Sequence, residues 1–320
     1  MLFELCLLLT RHAIMQMSDR PASAVEEALV CPACRGRLEV GEELRCASCD
    51  ARYRYVVAAD GRRIPCFVGQ RSSRGEEPVM HTHWALATSP DRGTLLSRVR
   101  RLIGAGYLPR RREWERKRQE LLSIRGEGTR VLEVGAGGRR LTPRTVTTDI
   151  FPFANTDFVA DAVSLPVSDG SFDCVWLECL LEHCPEPQRV VTEGWRVTAS
   201  GGAVFVHVPW MLFYHDFPGD YWRFSLDAIR TLFPPEAVVE MGVVYGPACA
   251  IVSLIAECWA RSFTHKDNLW PYGVLRSLGL LLLLPWKYLD AILVRTPAGQ
   301  RLASTLYAIA RKPPVPGDQR

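Results

Sequence analysis

Four cysteines near the N-terminus have the spacing of a metal site. Cys31-Pro-Ala-Cys34 and Cys46-Ala-Ser-Cys49 are two C-x-x-C pairs separated by eleven residues. A two-residue spacer lets a tight turn direct both sulfurs to one point, and two such turns complete a tetrahedral shell of four thiolates. Zinc fits that shell best, and a closed four-thiolate site is structural because no position is left open for chemistry. Two disulfides or free thiols are the alternatives.

The segment around these cysteines, residues 27–69, is predicted to be a zinc ribbon. Roughly forty residues are too few to form a stable hydrophobic core without a cross-link or a metal ion. Metal binding is therefore expected to contribute to the free energy of folding here. Gly36 and Leu38 follow the first cysteine pair, and Tyr53 and Tyr55 follow the second. The segment resembles the small zinc-ribbon family that partners methyltransferases as an activating subunit and also occurs as an N-terminal domain of bacterial ones.

A second candidate site is the apolar run that leads into a glycine turn at residues 131–138, VLEVGAGG. Glycines let the backbone adopt positive φ and let a ligand approach closely. The dinucleotide fingerprint is excluded because position 140 is Arg140 and not glycine, and no G-x-x-x-x-G-K-[ST] loop begins here. Glu133, two residues before Gly135, favours a cationic amino-acid ligand and would repel a pyrophosphate.

Further markers follow this loop in a fixed order. Asp149 ends the short strand TVTTD, Asp161-Ala162 lies in VADAVSLPVSDGSFD, and Phe172-Asp173 opens another strand. Three later markers precede the next strand: Leu181-Glu182-His183, Glu193 with Arg196-Val197, and Ser200-Gly201-Gly202. In this order, over about residues 130–245, they resemble the class I S-adenosylmethionine-dependent methyltransferases.

The resemblance implies an α/β fold: a Rossmann-like, mainly parallel seven-stranded sheet behind the N-terminal zinc ribbon. It also implies S-adenosylmethionine as cofactor, with Asp149 on the ribose hydroxyls and Asp161 on the adenine amine. The cofactor-binding residues it implies are Glu133, Gly135, Ala136, Gly137, Asp149, Asp161 and Ala162. One departure is expected, because Asp149 lies only sixteen positions after Glu133, which is too short an interval for the usual long first helix. The stretch GGRRLTPRT must therefore form a turn or a single helical turn.

The acceptor side is predicted to follow the fourth and fifth strands, since ligands bind outside the carboxyl ends of parallel strands. The run from Pro209 through His215 to the sequence PGDYWRFS is similar to a branch of bacterial methyltransferases, which brings no substrate with it. The candidate catalytic residues are His183, His215, Asp220, Tyr221 and Arg223. A base is needed only for a protonated acceptor. The structural alternatives are that Glu182 and His183 brace the loop and that Asp220 and Arg223 form a salt bridge.

Alternating strand-like and helical patterns predict the elements that position these residues. Strands are predicted at 130–134, 145–149, 172–178, 203–208, 238–245 and 304–312, and helices at 187–198 and 226–233. The predicted division is a tail at 1–26, the zinc ribbon at 27–69, a linker with basic amphipathic helices at 70–128, the methyltransferase core at 129–246, an apolar helical insertion with the last strand at 247–312, and a tail at 313–320.

Composition predicts a globular protein of reducing compartments. Apolar residues make up 48% of 320 residues, and the eleven cysteines are odd in number and too sparse for a disulfide scaffold. The N-terminal MLFELCLLL lacks the basic region and cleavage site of a signal peptide. The apolar stretch 277–286 is too short to span a bilayer, which leaves a core helix or an interfacial helix. We expect a cytoplasmic protein, with peripheral contact to the inner membrane face as the alternative.

Three functions are compatible with these features. The first is methyl transfer from S-adenosylmethionine to a small-molecule, glycan or lipid-linked acceptor. The second is RNA methylation, because zinc ribbons can grip nucleic acid and residues 110–118 are strongly basic, although a solvated helix face explains that stretch equally. The third is a methyltransferase-like binding scaffold with weak turnover, which the shortened first helix supports.

Overall fold

The computed structural model describes residues 28–68, 112–215, 219–264 and 269–315. The predicted N-terminal tail, most of the predicted linker and most of the predicted C-terminal tail lie outside these residues. The strands, in chain order, are β1 Leu38–Glu39, β2 Leu44–Cys46, β3 Arg52–Val57, β4 Arg63–Cys66, β5 Val131–Val134, β6 Val146–Asp149, β7 Phe158–Val159, β8 Phe172–Glu178, β9 Thr198–Pro209, β10 Val238–Tyr245 and β11 Thr305–Arg311.

The helices surround this sheet and also form a separate group near the C-terminus. They are α1 Arg112–Leu122, α2 Pro187–Val197, α3 Leu226–Thr231, α4 Pro247–Ser262, α5 Leu269–Leu282, α6 Leu284–Lys287, α7 Asp290–Leu293 and α8 Pro297–Arg301. Local sequence sets several of the boundaries. Pro187 and Pro247 open their helices, and the Ser225 hydroxyl caps α3 by accepting the Ala228 N–H at 3.2 Å.

Within the described part of the chain, eleven strands form one mixed sheet in the order β1-β2-β3-β4-β7-β6-β5-β8-β9-β11-β10. Strands β7, β6, β5, β8 and β9 are parallel, whereas β11 runs antiparallel to both of its neighbours. The predicted α/β class is confirmed. The predicted mainly parallel seven-stranded sheet needs correction, because the N-terminal strands extend it and β11 makes it mixed.

The N-terminal residues 28–68, here called the N-terminal module, are an extension of the main sheet. Cys66 of β4 pairs in parallel with Val159 of β7, and Leu29 bridges Val167. An unpaired edge strand exposes backbone donors and acceptors, so this pairing covers the β7 edge. The ring of Phe67 meets that of Phe158 edge-on, with centroids 6.4 Å apart. The module is therefore docked on the main sheet of its own chain.

The core lies on both faces of the central strands. Strand β8 has four consecutive apolar residues at its centre, Cys174 to Leu177, and six of its seven residues are buried, as expected for a parallel strand covered on both faces. On one face, Trp114 of α1 packs against Trp176 of β8 and Phe205 of β9, with centroids 6.3 Å and 5.1 Å away. Helix α1 therefore serves as a packing element of the sheet.

The predicted apolar insertion forms helices α4 to α8. Leu280 of α5 is buried against Val252 and Ala256 of α4, whereas Leu282, Trp286 and Ile292 are more than half exposed. The insertion thus has one core face and one apolar exposed face. No helix within the described ranges is both long and apolar enough to cross a membrane.

Candidate active site

The glycine turn after β5 has the backbone geometry of a ligand-binding loop. Gly135, Gly137 and Gly138 all have positive φ, at 72°, 58° and 78°. A Cβ at Gly135 would stand 2.7 Å from a methyl carbon of Leu180, whereas the space beside Gly137 is open to at least 4 Å among the described atoms. A side chain at Gly135 would therefore be strained by the positive φ and would displace Leu180, and at Gly137 the open backbone can meet a ligand.

Glu133 lies beneath this loop and is only 1% exposed. One carboxylate oxygen accepts the N–H of Leu141 at 3.2 Å, and the other has no hydrogen-bond partner among the described residues. Burial raises the pKa of Glu133 to about 7, although the Arg139 guanidinium acts in the opposite direction. An unpartnered buried acceptor of this kind suits a cationic donor.

Asp149 connects the end of β6 to the loop. Its carboxylate accepts the Gly137 N–H at 2.9 Å and the Phe151 N–H at 3.1 Å. Burial raises the pKa of Asp149, although these backbone donors oppose that shift. Each carboxylate oxygen keeps a further lone pair. Asp149, which is predicted to bind the ribose hydroxyls, therefore lies beside the glycines predicted to bind the same cofactor.

Asp161 and Ala162 follow β7 at the same edge of the sheet. Asp161 is exposed, and one of its oxygens accepts the Val163 N–H at 3.0 Å. Burial, together with the charges of Asp161 and Glu182, raises the pKa of the Cys184 thiol to about 12.

The connection from β5 to β6 contains no helix, as predicted from its length. Arg140 holds it in place by donating to the Asn155 carbonyl at 2.6 Å and to Asp157 at 2.7 Å. Arg139 lies 3.9 Å from Glu178 at the end of β8. Burial opposes ionisation of Glu178, but the hydrogen bond with His207 and the charge of Arg139 hold its pKa well below the usual range. Sequence analysis missed this Arg139–Glu178 pair.

The acceptor loop, residues 210–215 and 219–223, is held by an ion pair. Arg223 donates to Asp220 through both terminal nitrogens and also to the carbonyls of Leu212 and Phe213, at 3.1 Å and 2.9 Å. Asp220 accepts the backbone N–H of His215 at 2.8 Å. The structural role weighed for Asp220 and Arg223 is thus visible: the pair fixes the position of His215.

His183 and His215 are brought together although they lie far apart in sequence. Their rings are perpendicular with centroids 5.1 Å apart, and each Nε2 lies 3.9 Å from the same oxygen of Glu182. Burial alone would lower the pKa of His215, but Glu182, the Phe213 carbonyl and Asp220 raise it overall. The backbone N–H of Tyr221 donates to the Glu182 carbonyl at 2.7 Å, and 58% of the surface of Tyr221 is exposed.

The four predicted metal-binding cysteines also converge. Cys31 and Cys49 have their sulfurs 3.7 Å apart, Cys34 and Cys46 have theirs 3.4 Å apart, and all four lie within 4.8 Å of one another. Zinc–sulfur bonds of about 2.3 Å place tetrahedral ligands about 3.8 Å apart. The donor set therefore fits a single zinc ion.

The basic stretch predicted at residues 110–118 lies partly outside the described residues. Within α1, Lys117 pairs with Glu240 of β10, and Arg118 lies 3.3 Å from Glu115. Trp114, three residues before Lys117 on the same side of the helix, is buried, and both residues contact the ring of Tyr307. These cations are part of the packing of α1 on the sheet.

The sequence around the glycine turn matches a known protein family. Residues 132–206, from β5 into β9, match the family described as "Methyltransferase domain". These residues are therefore similar to a methyltransferase domain. It is 26% identical over 144 residues to malonyl-[acyl-carrier protein] O-methyltransferase from Erwinia billingiae (strain Eb661), over 39% of this chain and 57% of that protein. The chain thus spans little more than half the length of this curated relative.

Two solved structures are similar at lower identity. The [4+2]-cyclase SpnF is 18% identical, with a TM-score of 0.40 over 62% of this chain and 80% of that one. A SAM-dependent methyltransferase from Archaeoglobus fulgidus is 15% identical, with a TM-score of 0.36 over 62% of this chain and 90% of that one.

Proposed function

We propose that this protein transfers a methyl group from S-adenosylmethionine to a small-molecule, glycan or lipid-linked acceptor bound beside β8 and β9. The observation that carries this proposal is the open glycine turn with carboxylates on both sides. Glu133 lies beneath the turn with a free acceptor oxygen, and Asp149 lies at its side. Acidic groups in both positions favour a cationic nucleoside over a pyrophosphate.

The residues of the loop fit this cofactor. The unpartnered oxygen of Glu133 would accept from an ammonium group, the remaining lone pairs of Asp149 would accept from ribose hydroxyls, and exposed Asp161 would accept from the adenine amine. When bound, the cofactor supplies an activated methyl group on a sulfonium. The chain then has to hold the acceptor in line with that methyl group.

Positioning of the acceptor falls to the loop braced by Asp220 and Arg223. Well-oriented reactants can gain up to about 7–11 kcal/mol relative to free encounter, so a rigid loop matters even without a base. His183 and His215 project from the ends that follow β8 and β9. We assign them to the acceptor side, with Asp220 and Arg223 as positioning residues.

The exposed apolar face of α5 to α7 favours a lipid-linked or apolar acceptor over RNA. Leu282, Trp286 and Ile292 are 65%, 61% and 68% exposed. The guanidinium of Arg276 in α5 stacks over the ring of Phe213 in the acceptor loop, 5.3 Å from its centroid. The apolar helices therefore adjoin the loop that would receive the acceptor.

This acceptor class is tested with liposomes containing anionic lipid. Leu282→Asp combined with Ile292→Asp should abolish co-sedimentation of the full chain, and Val57→Asp, at a site in the N-terminal module that is 67% exposed, is the matched control. Co-sedimentation that is absent in the parent protein, or unaffected by the double variant, would remove the lipid part of the proposal.

The N-terminal module is proposed to hold one structural zinc ion on Cys31, Cys34, Cys46 and Cys49. All four positions of a tetrahedral ion would be filled by thiolates, so the ion has no open position for a substrate. Its role is to fix β1 to β4, which in turn cover the β7 edge.

The experiment that tests the main proposal is calorimetric titration of the full chain with S-adenosylmethionine, its demethylated product and NAD. One-site binding of the first two ligands and no binding of NAD are expected. Binding of NAD alone, or of none of the three, would refute the proposed activity.

A further inference from the structure

We propose that Glu182, His183 and His215 form a second metal site, which binds a first-row divalent cation beside the methyltransferase loop. One ligand atom from each residue lies within 4.8 Å of the other two. The site is separate from the cysteine site in both sequence and ligand chemistry, since two imidazoles and one carboxylate replace four thiolates.

The hydrogen bonds of the two histidines orient them as metal ligands. Nδ1 of His183 contacts the Gly219 carbonyl, and Nδ1 of His215 lies 3.2 Å from the Phe213 carbonyl. A carbonyl oxygen can only accept, so each Nδ1 must carry the proton. In the neutral tautomer with its proton on Nδ1, each ring would present the lone pair of Nε2 toward Glu182. Metal-binding histidines are typically oriented in this way by a carbonyl or carboxylate on the other nitrogen.

Glu182 supplies the negative charge and is itself unsatisfied. The residue is 0% exposed, and neither carboxylate oxygen has a hydrogen-bond partner among the described residues. A buried carboxylate without a partner is strongly unfavourable. A cation can stabilise three acceptors that converge in this way. A divalent ion bound between them would contact all three, whereas a proton on one ring would satisfy only one pair.

The distances are compatible with such an ion after a small contraction. Each Nε2 lies 3.9 Å from the Glu182 oxygen. Ligand bonds of about 2.0–2.1 Å place neighbouring ligands about 3.0–3.4 Å apart. Movement of less than about 1 Å therefore closes the shell. Two imidazoles and one carboxylate suit Mn²⁺, Fe²⁺, Co²⁺ or Zn²⁺, and three protein ligands leave positions open.

The open positions indicate the chemical class of the acceptor. A cation of this kind would lower the pKa of an oxygen bound to it, as zinc does for bound water. We infer that the acceptor carries a hydroxyl, with a second oxygen near it, and binds through these to the cation. This inference about the acceptor rests on the proposed methyltransferase function, whereas the cation site itself does not.

The test is a Co²⁺ titration of the full chain with its cysteine site already loaded with zinc, followed by absorption spectroscopy. We expect one Co²⁺ per chain beyond the zinc, with nitrogen–oxygen d–d bands and no thiolate-to-cobalt charge transfer. Glu182→Gln should weaken Co²⁺ binding by more than about tenfold. Glu186→Gln, an exposed glutamate paired with Arg189, is the matched control and should leave Co²⁺ affinity unchanged.

Two further measurements distinguish failure of the cation site from failure of the proposed methyltransferase function. His183→Asn retains a donor for the Gly219 carbonyl but removes Nε2, so it should also lose Co²⁺ without loss of the fold, as judged by its melting temperature. Titration of each variant with S-adenosylmethionine reports separately on the proposed function. A parent protein that binds only zinc, or a Glu182→Gln variant with unchanged Co²⁺ affinity, would overturn the cation site even if S-adenosylmethionine binds normally.

Discussion

The backbone N–H of Gly137 donates to Asp149 at 2.9 Å, and this hydrogen bond joins the glycine turn after β5 to the carboxyl end of β6. The bond holds the loop at positive φ without a following helix. It also places the carboxylate beside the open backbone at Gly137. One residue thus shapes the loop and contributes to the proposed cofactor site.

Loss of one cysteine ligand should release zinc and destabilise the N-terminal module. We predict one zinc ion per chain in the parent protein and none in Cys46→Ser, because three thiolates cannot complete the closed shell. The melting temperature should fall by several degrees, since the module covers the β7 edge. Elemental analysis and thermal unfolding measure the two effects.

The control for the zinc prediction is Cys258→Ser, at an exposed cysteine of α4 outside the cluster. It should keep both the zinc and the melting temperature. Full zinc content in Cys46→Ser would show that the four sulfurs do not act as one site.

Asp290 should stabilise the helical insertion without affecting cofactor binding. Its buried carboxylate accepts the N–H groups of Ala248 and Cys249 at 2.8 Å and 3.0 Å, and so caps α4 from a distant part of the chain. Asp290→Ala should cost about 1–3 kcal/mol of unfolding free energy, by loss of this cap and exposure of unpaired donors. Denaturant unfolding and titration with S-adenosylmethionine provide the measurements.

Asp227→Ala, in the exposed first turn of α3, is the comparison for this variant. It should change the free energy of unfolding by less than about 0.5 kcal/mol. Equal destabilisation by both substitutions would mean that the contacts of Asp290 with α4 do not contribute.

The raised pKa of Glu133 should make stability depend on pH. Its pKa in the folded protein is about 7, against 4.5 for the ordinary side chain, so the folded state binds the extra proton between these values. Unfolding free energy should therefore fall as pH rises from about 4.5 to 7 and then level off. This group accounts for a decrease of up to about 3 kcal/mol.

Glu133→Gln isolates this effect. Relative to the parent protein, the variant should gain stability as pH rises from about 5 to 8, because it carries no buried anion. Urea unfolding across that range measures the difference. A difference that stays constant with pH would mean that Glu133 is ionised over the whole range or never ionised.

Local sequence predicted several strands of the main sheet but not how the elements meet. The predicted bounds of β8 and β10 match those found, because both strands are rich in the valine and aromatic residues that favour strands. Strand β7 and its pairing of Val159 with Cys66 were missed, since a two-residue strand is stabilised by its neighbours and not by its own pattern.

At the candidate active site, too, local sequence predicted single features but not the contacts between distant residues. Glycine spacing predicted the loop, and the short interval from Glu133 to Asp149 predicted the absence of a helix. The approach of His183 to His215 depends on carbonyls of a distant loop, which no spacing rule gives. The sequence allows Glu182 to brace the loop, and its burial without a partner among the described residues is what indicates a ligand.

The central claim is that the loop after β5 and Asp149 together bind S-adenosylmethionine. Its most direct test is calorimetric titration of the parent chain and of Asp149→Ala with this cofactor, with Asp227→Ala as a control. The account predicts saturable one-site binding in the parent and the control, and affinity at least about tenfold lower in Asp149→Ala, since two ribose contacts and the anchor of Gly137 are lost. Unchanged affinity in Asp149→Ala, or no binding by the parent protein, would contradict it.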